Sequence, residues 1–317
     1  MKHGKTSTKV GGIDIGKRWL DVAAHGSGET ARLANDAAGA AETVAWLRAR
    51  EIGRVGLEAS GGYERLIRRS LEDAGVEVVV HQPLEVRLFA KLTRQRAKND
   101  RLDAALIAAA TAHIDRVKAA ADPRLAALAE RLTAYEQLSD QIAQLKTFME
   151  HVTLADVEDA LTLQLQGLTR LKRAFARKIV DEIQACPDLA VRYQLLTSLP
   201  GVGPIVAASL IVRMPELGSL AHGQAAALLG VAPFDRDSGQ YKGQRFISGG
   251  RRRPRRMLYL AALTARRADP TFKAFADRLA AKAKAPKVVL VAVMRRLIEA
   301  ANLVLARGQP WRAQPIN

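Results

Sequence analysis

The chain reads as an α/β core with a mixed sheet, followed by a mostly helical remainder. Three observations lead there. Residues 9–35 hold three strand-like runs with short turns. Residues 36–112 alternate helix and strand patterns. From residue 124 onward apolar residues recur at steps of three and four, which is helical spacing.

Taken in order, the strands read as Val10–Ile15, Trp19–Ala24 and Thr30–Leu33, with Gly16-Lys17 and His25–Gly28 as turns. A helix is expected at Ala38–Arg50, a strand at Val55–Glu58 and a helix at Tyr63–Ala74. Gly75 ends that helix, Val76–Val80 reads as a buried strand, and Pro83 opens another helical stretch. In residues 124–185 one apolar series runs from Leu125 to Val152 and a second from Val157 to Ile183. These predict two long amphipathic helices, either an antiparallel or intermolecular coiled coil or an ordinary helical hairpin packed on its own domain. The expected domains are 1–120, a spacer at 121–190, and 191–317.

Composition bounds the function. The net charge is +17 with a sequence pI of about 10.4. The excess is uneven: residues 236–317 hold 19 basic and 4 acidic side chains, residues 1–116 hold 19 and 15. A basic segment of that kind points to a polyanion. The single cysteine, Cys186, excludes an intramolecular disulfide and a cysteine zinc cluster. The N-terminal residues lack a signal-peptide apolar core, and the run Val288–Met294 is too short to span a bilayer. The expectation is a cytoplasmic protein with no membrane partner.

Four acids are the candidates for metal chemistry. Asp14 lies in the run Gly11–Gly16 and Glu58 ends the run Val55–Glu58. Asp100 and Asp103 sit three apart at the start of an Ala/Leu/Ile-rich helix, and so on one helix face. Converging carboxylates repel unless cations lie among them, which is the signature of a magnesium site made of oxygen ligands. Each pair taken alone reads equally as a turn residue, or as a cap with a dipole partner.

Two further motifs lie in the C-terminal part. Pro200-Gly201-Val202-Gly203-Pro204 sits between two apolar helices and resembles a helix-hairpin-helix, in which freed N–H groups near Gly201 and Gly203 hold a phosphate. Next comes a Gly-rich stretch with Ser238-Gly239, Lys242, Gly243, Arg245 and Ser248-Gly249-Gly250. It leads into the run Arg251, Arg252, Arg253, Pro254, Arg255 and Arg256. Guanidinium and ammonium groups there can fix phosphate oxygens.

With these residues in this order, nearly the whole chain, from Gly11 to about Pro310, resembles the DEDD transposases of insertion sequences. This is the one-hundred-ten family, typified also by the Piv invertase and including bridge-RNA-guided recombinases. The resemblance implies a RuvC-like domain of the ribonuclease H fold, its acidic tetrad at Asp14, Glu58, Asp100 and Asp103. It also implies a helical transposase domain with a nucleophilic serine at Ser238. One departure is visible. Where the family shows a Leu-Arg pair after the isoleucine, this chain continues with the arginine run, so no single arginine can be assigned to one phosphate.

The implied activity is site-specific DNA recombination. On that resemblance Ser238 would be the nucleophile, and magnesium, with manganese as substitute, would be held by the tetrad. A structured non-coding guide RNA, DNA at element ends and target, and a homo-oligomer (dimer or tetramer) are the implied partners. The alternative is a RuvC-type metal-dependent endonuclease, a junction resolvase in which water attacks. An actin-like ATPase would need a second phosphate loop, which the sequence lacks. A non-catalytic nucleic-acid-binding protein would not need the tetrad.

Overall fold

The computed structural model describes residues 9–93, 100–114, 122–234 and 245–312, and for residues 100–102 the backbone only. The chain divides into two compact units, residues 1–121 and 122–317.

The first unit is built on β1 (Lys9–Ile15), β2 (Trp19–Ala24), β3 (Thr30–Ala34), β4 (Ile52–Glu58) and β5 (Glu77–His81). Its helices are α1 (Ala37–Arg48), α2 (Arg65–Asp73), α3 (Pro83–Leu92) and α4 (Asp100–Ala112). The sheet order is β3-β2-β1-β4-β5. β1, β2 and β3 pair antiparallel because tight turns join them; β4 and β5 add in parallel because a helix precedes each. This mixed sheet is consistent with the RuvC-like expectation.

Strand periodicity divides the sheet into two faces. Ile13, Ile15, Val55 and Leu57 enter a core with Val44 and Leu47 of α1 and Ile67 and Leu71 of α2. The alternate residues face α4. Gly12 and Gly56 have no side chain there because α4 lies too close. A Cβ on Gly12 would strike the backbone of Ala104 and Ala108, and one on Gly56 would strike the Thr111 hydroxyl.

The second unit holds α5 (Pro123–Met149), α6 (Ala155–Gln184), α7 (Pro187–Thr197), α8 (Pro204–Arg213) and α9 (Gln224–Leu229). There follow β6 (Pro233–Phe234), β7 (Phe246–Ile247), α10 (Arg252–Ala268), α11 (Pro270–Ala281) and α12 (Pro286–Arg307). α5 packs along α6. At the base of this hairpin Leu128, Leu132, Ile179 and Ile183 join the same core as α7, α8, α10 and α12. Farther out Phe148, Leu154, Leu163 and Leu171 are exposed. Among the described residues no helix is long and apolar enough to cross a membrane.

Candidate functional site

One row of polar side chains crosses the sheet on the α4 face. Asp14 pairs across the strands with Asp21, and Asp21 with Arg32. In the parallel direction Ile13 pairs with Leu57. One step on, Asp14 comes alongside Glu58, whose partner on β5 is His81. All five strands thus contribute one residue: Arg32, Asp21, Asp14, Glu58 and His81.

The backbone of α4 runs across this row. Its C-terminal end lies over the beginnings of the strands, since Arg54 Nη1 donates to the Ile114 carbonyl at 2.7 Å. Its middle covers Gly12 and Gly56. Its N-terminal turn, with Asp100 and Asp103, therefore points toward the strand ends that bear Asp14 and Glu58. The loops there are fastened together. Asn35 Nδ2 donates to the carbonyl of Gly16, after β1, at 2.9 Å and to that of Tyr63, after β4, at 3.2 Å. Glu64 closes the second loop by accepting from the Ser60 hydroxyl at 2.6 Å and the Gly62 N–H at 2.8 Å.

Charge in the row is partly balanced. Asp21 is 5% exposed and takes two hydrogen bonds from Arg32, at 2.9 and 2.8 Å. His81 is 4% exposed. Burial lowers the pKa of its imidazole, and Glu85 works against that effect. The Thr111 hydroxyl donates to the Ile107 carbonyl at 2.6 Å. It therefore accepts from His81 Nε2–H at 2.8 Å, which sets the tautomer.

Every acid of the tetrad is a hard oxygen donor, which suits a divalent cation such as magnesium. Among the described residues, no three His, Cys, Asp or Glu side chains form a group that could hold a metal ion. The side chain of Asp100 is outside those residues. Asp21, Arg32 and His81 escaped the sequence reading. Their place in the row depends on strand register, which the sequence alone does not reveal.

Ser238, Lys242 and Gly243 lie outside the described residues. The strands that flank their segment, β6 and β7, pair antiparallel. Next to them Gly230 and Gly250 meet backbone to backbone, and a Cβ on either would collide with the other's segment. Arg255 locks this junction by donating to the Gly230 carbonyl at 3.1 Å and the Gly249 carbonyl at 2.8 Å.

The arginine run is largely occupied within the chain. Arg251 forms a two-pronged pair with Glu216 and donates to the Arg213 carbonyl. Arg253 pairs with Glu136 at 2.9 Å, a carboxylate that also takes Arg213 at 3.2 Å. Arg256 pairs with Asp140 at 2.6 Å. Arg252 has no ion pair or hydrogen bond among the described residues. Arg245 is exposed beside β7.

Gly201, at φ +77°, faces α10 so closely that a Cβ would strike the Ala261 carbonyl, which gives this glycine a packing role. Gly203 precedes α8 with open space around it.

Comparison with known proteins covers both units. Residues 11–154 match the family model of the DEDD transposases, described as a transposase. Residues 193–277 match the transposase IS116/IS110/IS902 family. The chain is 25% identical to a pilin gene-inverting protein of Moraxella bovis, over 95% of this chain and 96% of that protein. A pilin gene-inverting protein of Moraxella lacunata matches to the same extent. An uncharacterized protein of insertion element IS110 from Streptomyces coelicolor is 31% identical over 49% of this chain and 38% of its own length.

Proposed function

The chain belongs to the IS110-type DEDD transposase family of DNA recombinases, and from that premise we propose that it cuts and rejoins DNA through Ser238. The observation that carries the metal-site part of this reading is the polar row, and the serine part rests on the family resemblance. The row sets Asp14 beside Glu58, under the helix that begins with Asp100 and Asp103. The two family matches support it by covering the acids and the serine separately.

In the proposed step the Ser238 hydroxyl loses its proton and its oxygen bonds to a DNA phosphorus. The phosphodiester bond to one deoxyribose oxygen breaks, and that oxygen is protonated. The phosphoserine keeps the bond energy for rejoining, when a deoxyribose hydroxyl attacks and the serine is released. Asp14, Glu58, Asp100 and Asp103 would hold magnesium, or manganese in its place. When bound, such an ion supplies positive charge at the phosphate oxygens. Lys242 and Arg245 stabilise charge developing on the phosphoryl group.

DNA at the element ends and target is the substrate. We assign target choice to a structured non-coding RNA, because the chain is rich in arginine for backbone contact and aromatics form only 5% of it. The N–H groups at the start of α8, near Gly203, and the Arg252 guanidinium are assigned to phosphate contact. A dimer or tetramer joined partly through α5 and α6 completes the reading.

The experiment is denaturant trapping on DNA. Wild type leaves a covalent protein–DNA adduct. Ser238→Ala leaves none and loses strand exchange, yet binds DNA within about a few-fold, since one hydroxyl contributes little to binding. Strand cleavage by the alanine variant would overturn the serine mechanism in favour of attack by water.

A further inference from the structure

While most of the C-terminal arginine run is paired inside the chain, another group of arginines is not. Between residues 160 and 180, α6 carries Arg170, Lys172, Arg173, Arg177 and Lys178 with no acidic residue. Lys172 lies over the Tyr135 ring, 5.0 Å from its centroid. Arg170, Arg173 and Arg177 are exposed and have no ion pair or hydrogen bond among the described residues. Their spacing puts them on one helix face. They line one concavity with Leu165, Gln166, Thr169 and Lys146 of α5, which is likewise exposed and unpaired among those residues.

We propose that this face of the α5–α6 hairpin is a second DNA surface, holding the phosphate backbone of duplex DNA. The inference rests on the chain being a DNA recombinase. Three like charges at one-turn spacing, with no ion pair among the described residues, repel one another, and a polyanion relieves that repulsion. The stripe from Arg170 to Arg177 extends about 10 Å at a rise of about 1.5 Å per residue. Duplex DNA carries about one charge per 1.7 Å of axis, so phosphates are available to all three arginines at once. Each guanidinium can present a fork of N–H donors to phosphate oxygens. Among the described residues no aromatic side chain lines the concavity. Stacking on single-stranded bases is therefore not provided for, which favours a duplex backbone over single-stranded RNA.

The test uses the full chain, with DNA affinity measured by fluorescence anisotropy over a salt series on a random-sequence duplex. The same series is run on an RNA hairpin. Replacing Arg170, Arg173 and Arg177 together by alanine should lower the slope of log affinity against log salt by about 2 to 3 on DNA, at about 0.9 per lost phosphate contact. The all-lysine triple variant should keep the wild-type slope. Because the three sites are exposed, melting temperature should be unchanged. An unchanged DNA slope in the alanine variant overturns the proposal. So does a loss confined to RNA, a loss of slope in the lysine variant, or a changed oligomeric state, which would make the face an interface between copies. Wild type with no affinity for duplex DNA would instead sink the recombinase reading itself.

Discussion

Asp14 on β1 and Asp21 on β2 are direct cross-strand partners on the face of the sheet that α4 covers. Like charges placed directly opposite are destabilising. The two-pronged pair from Arg32 offsets this by neutralising Asp21. Arg32→Gln should therefore destabilise the fold by about 3 kcal/mol, because it leaves a buried carboxylate without its cation. Asp21→Asn should cost much less, since it removes the repulsion along with the pair. Urea unfolding of both single variants and the double variant checks this. Equal losses in the two single variants would refute the neutralising role of Arg32.

Gly56 and Thr111 are predicted to set the height of α4 above the sheet. Gly56→Ala forces α4 outward and should destabilise by on the order of 1–3 kcal/mol. Thr111→Val keeps the shape but strips His81 Nε2–H of its acceptor, at a cost of about 1–3 kcal/mol. Both should reduce recombination, because α4 carries Asp100 and Asp103. A Gly56→Ala protein with full stability and activity would contradict the close approach.

Glu136 and the arginines should behave as a structural unit. Glu136 is 11% exposed on its side chain and serves both Arg213 and Arg253. Burial lowers the pKa of Arg213, and the attraction of Glu136 opposes that. Glu136→Ala should destabilise by about 3 kcal/mol. Alanine at Arg251 or Arg253 should lower the melting temperature, whereas Arg252→Ala should leave it unchanged and flatten the salt dependence of DNA binding. Thermal melts of the three single variants separate the roles.

The Glu64 loop should weaken in acid. Burial raises the pKa of the Glu64 carboxyl, but hydrogen bonds from the Ser60 hydroxyl and from backbone N–H groups outweigh it, and the net shift is downward. A carboxyl lowered by folding contributes stability above its unfolded pKa. That contribution is lost as pH falls through the folded value. Below about pH 4.5, wild type should therefore lose stability faster than Glu64→Gln. Parallel slopes of stability against pH would show that the loop does not hold this carboxylate.

Magnesium should raise the melting temperature of wild type more than that of Asp14→Asn, Glu58→Gln, Asp100→Asn or Asp103→Asn, because only a ligand bound to the folded state stabilises it. An equal shift in all five proteins would remove these acids as the site.

The sequence by itself determined what depends on local spacing. The alternation in β1 and β4, the three-residue step from Asp100 to Asp103, and the long apolar series of α5 and α6 all follow from the period of one element. Helix and strand positions were legible to within a few residues, and Asp14 and Glu58 were legible as strand acids. Only the tertiary structure decided the partners. Register between strands placed Asp21, Arg32 and His81 in the row with Asp14 and Glu58. Packing of α4 explained Gly12 and Gly56, and packing of α10 explained Gly201. The arginine run looked like a phosphate surface because a one-dimensional charge count cannot see Glu216, Glu136 and Asp140. Those carboxylates lie far away along the chain, and folding brings them within hydrogen-bonding distance. Arg170, Arg173 and Arg177 drew no notice in the sequence for the converse reason: a charge can be known to lack a partner only once every neighbour is in place.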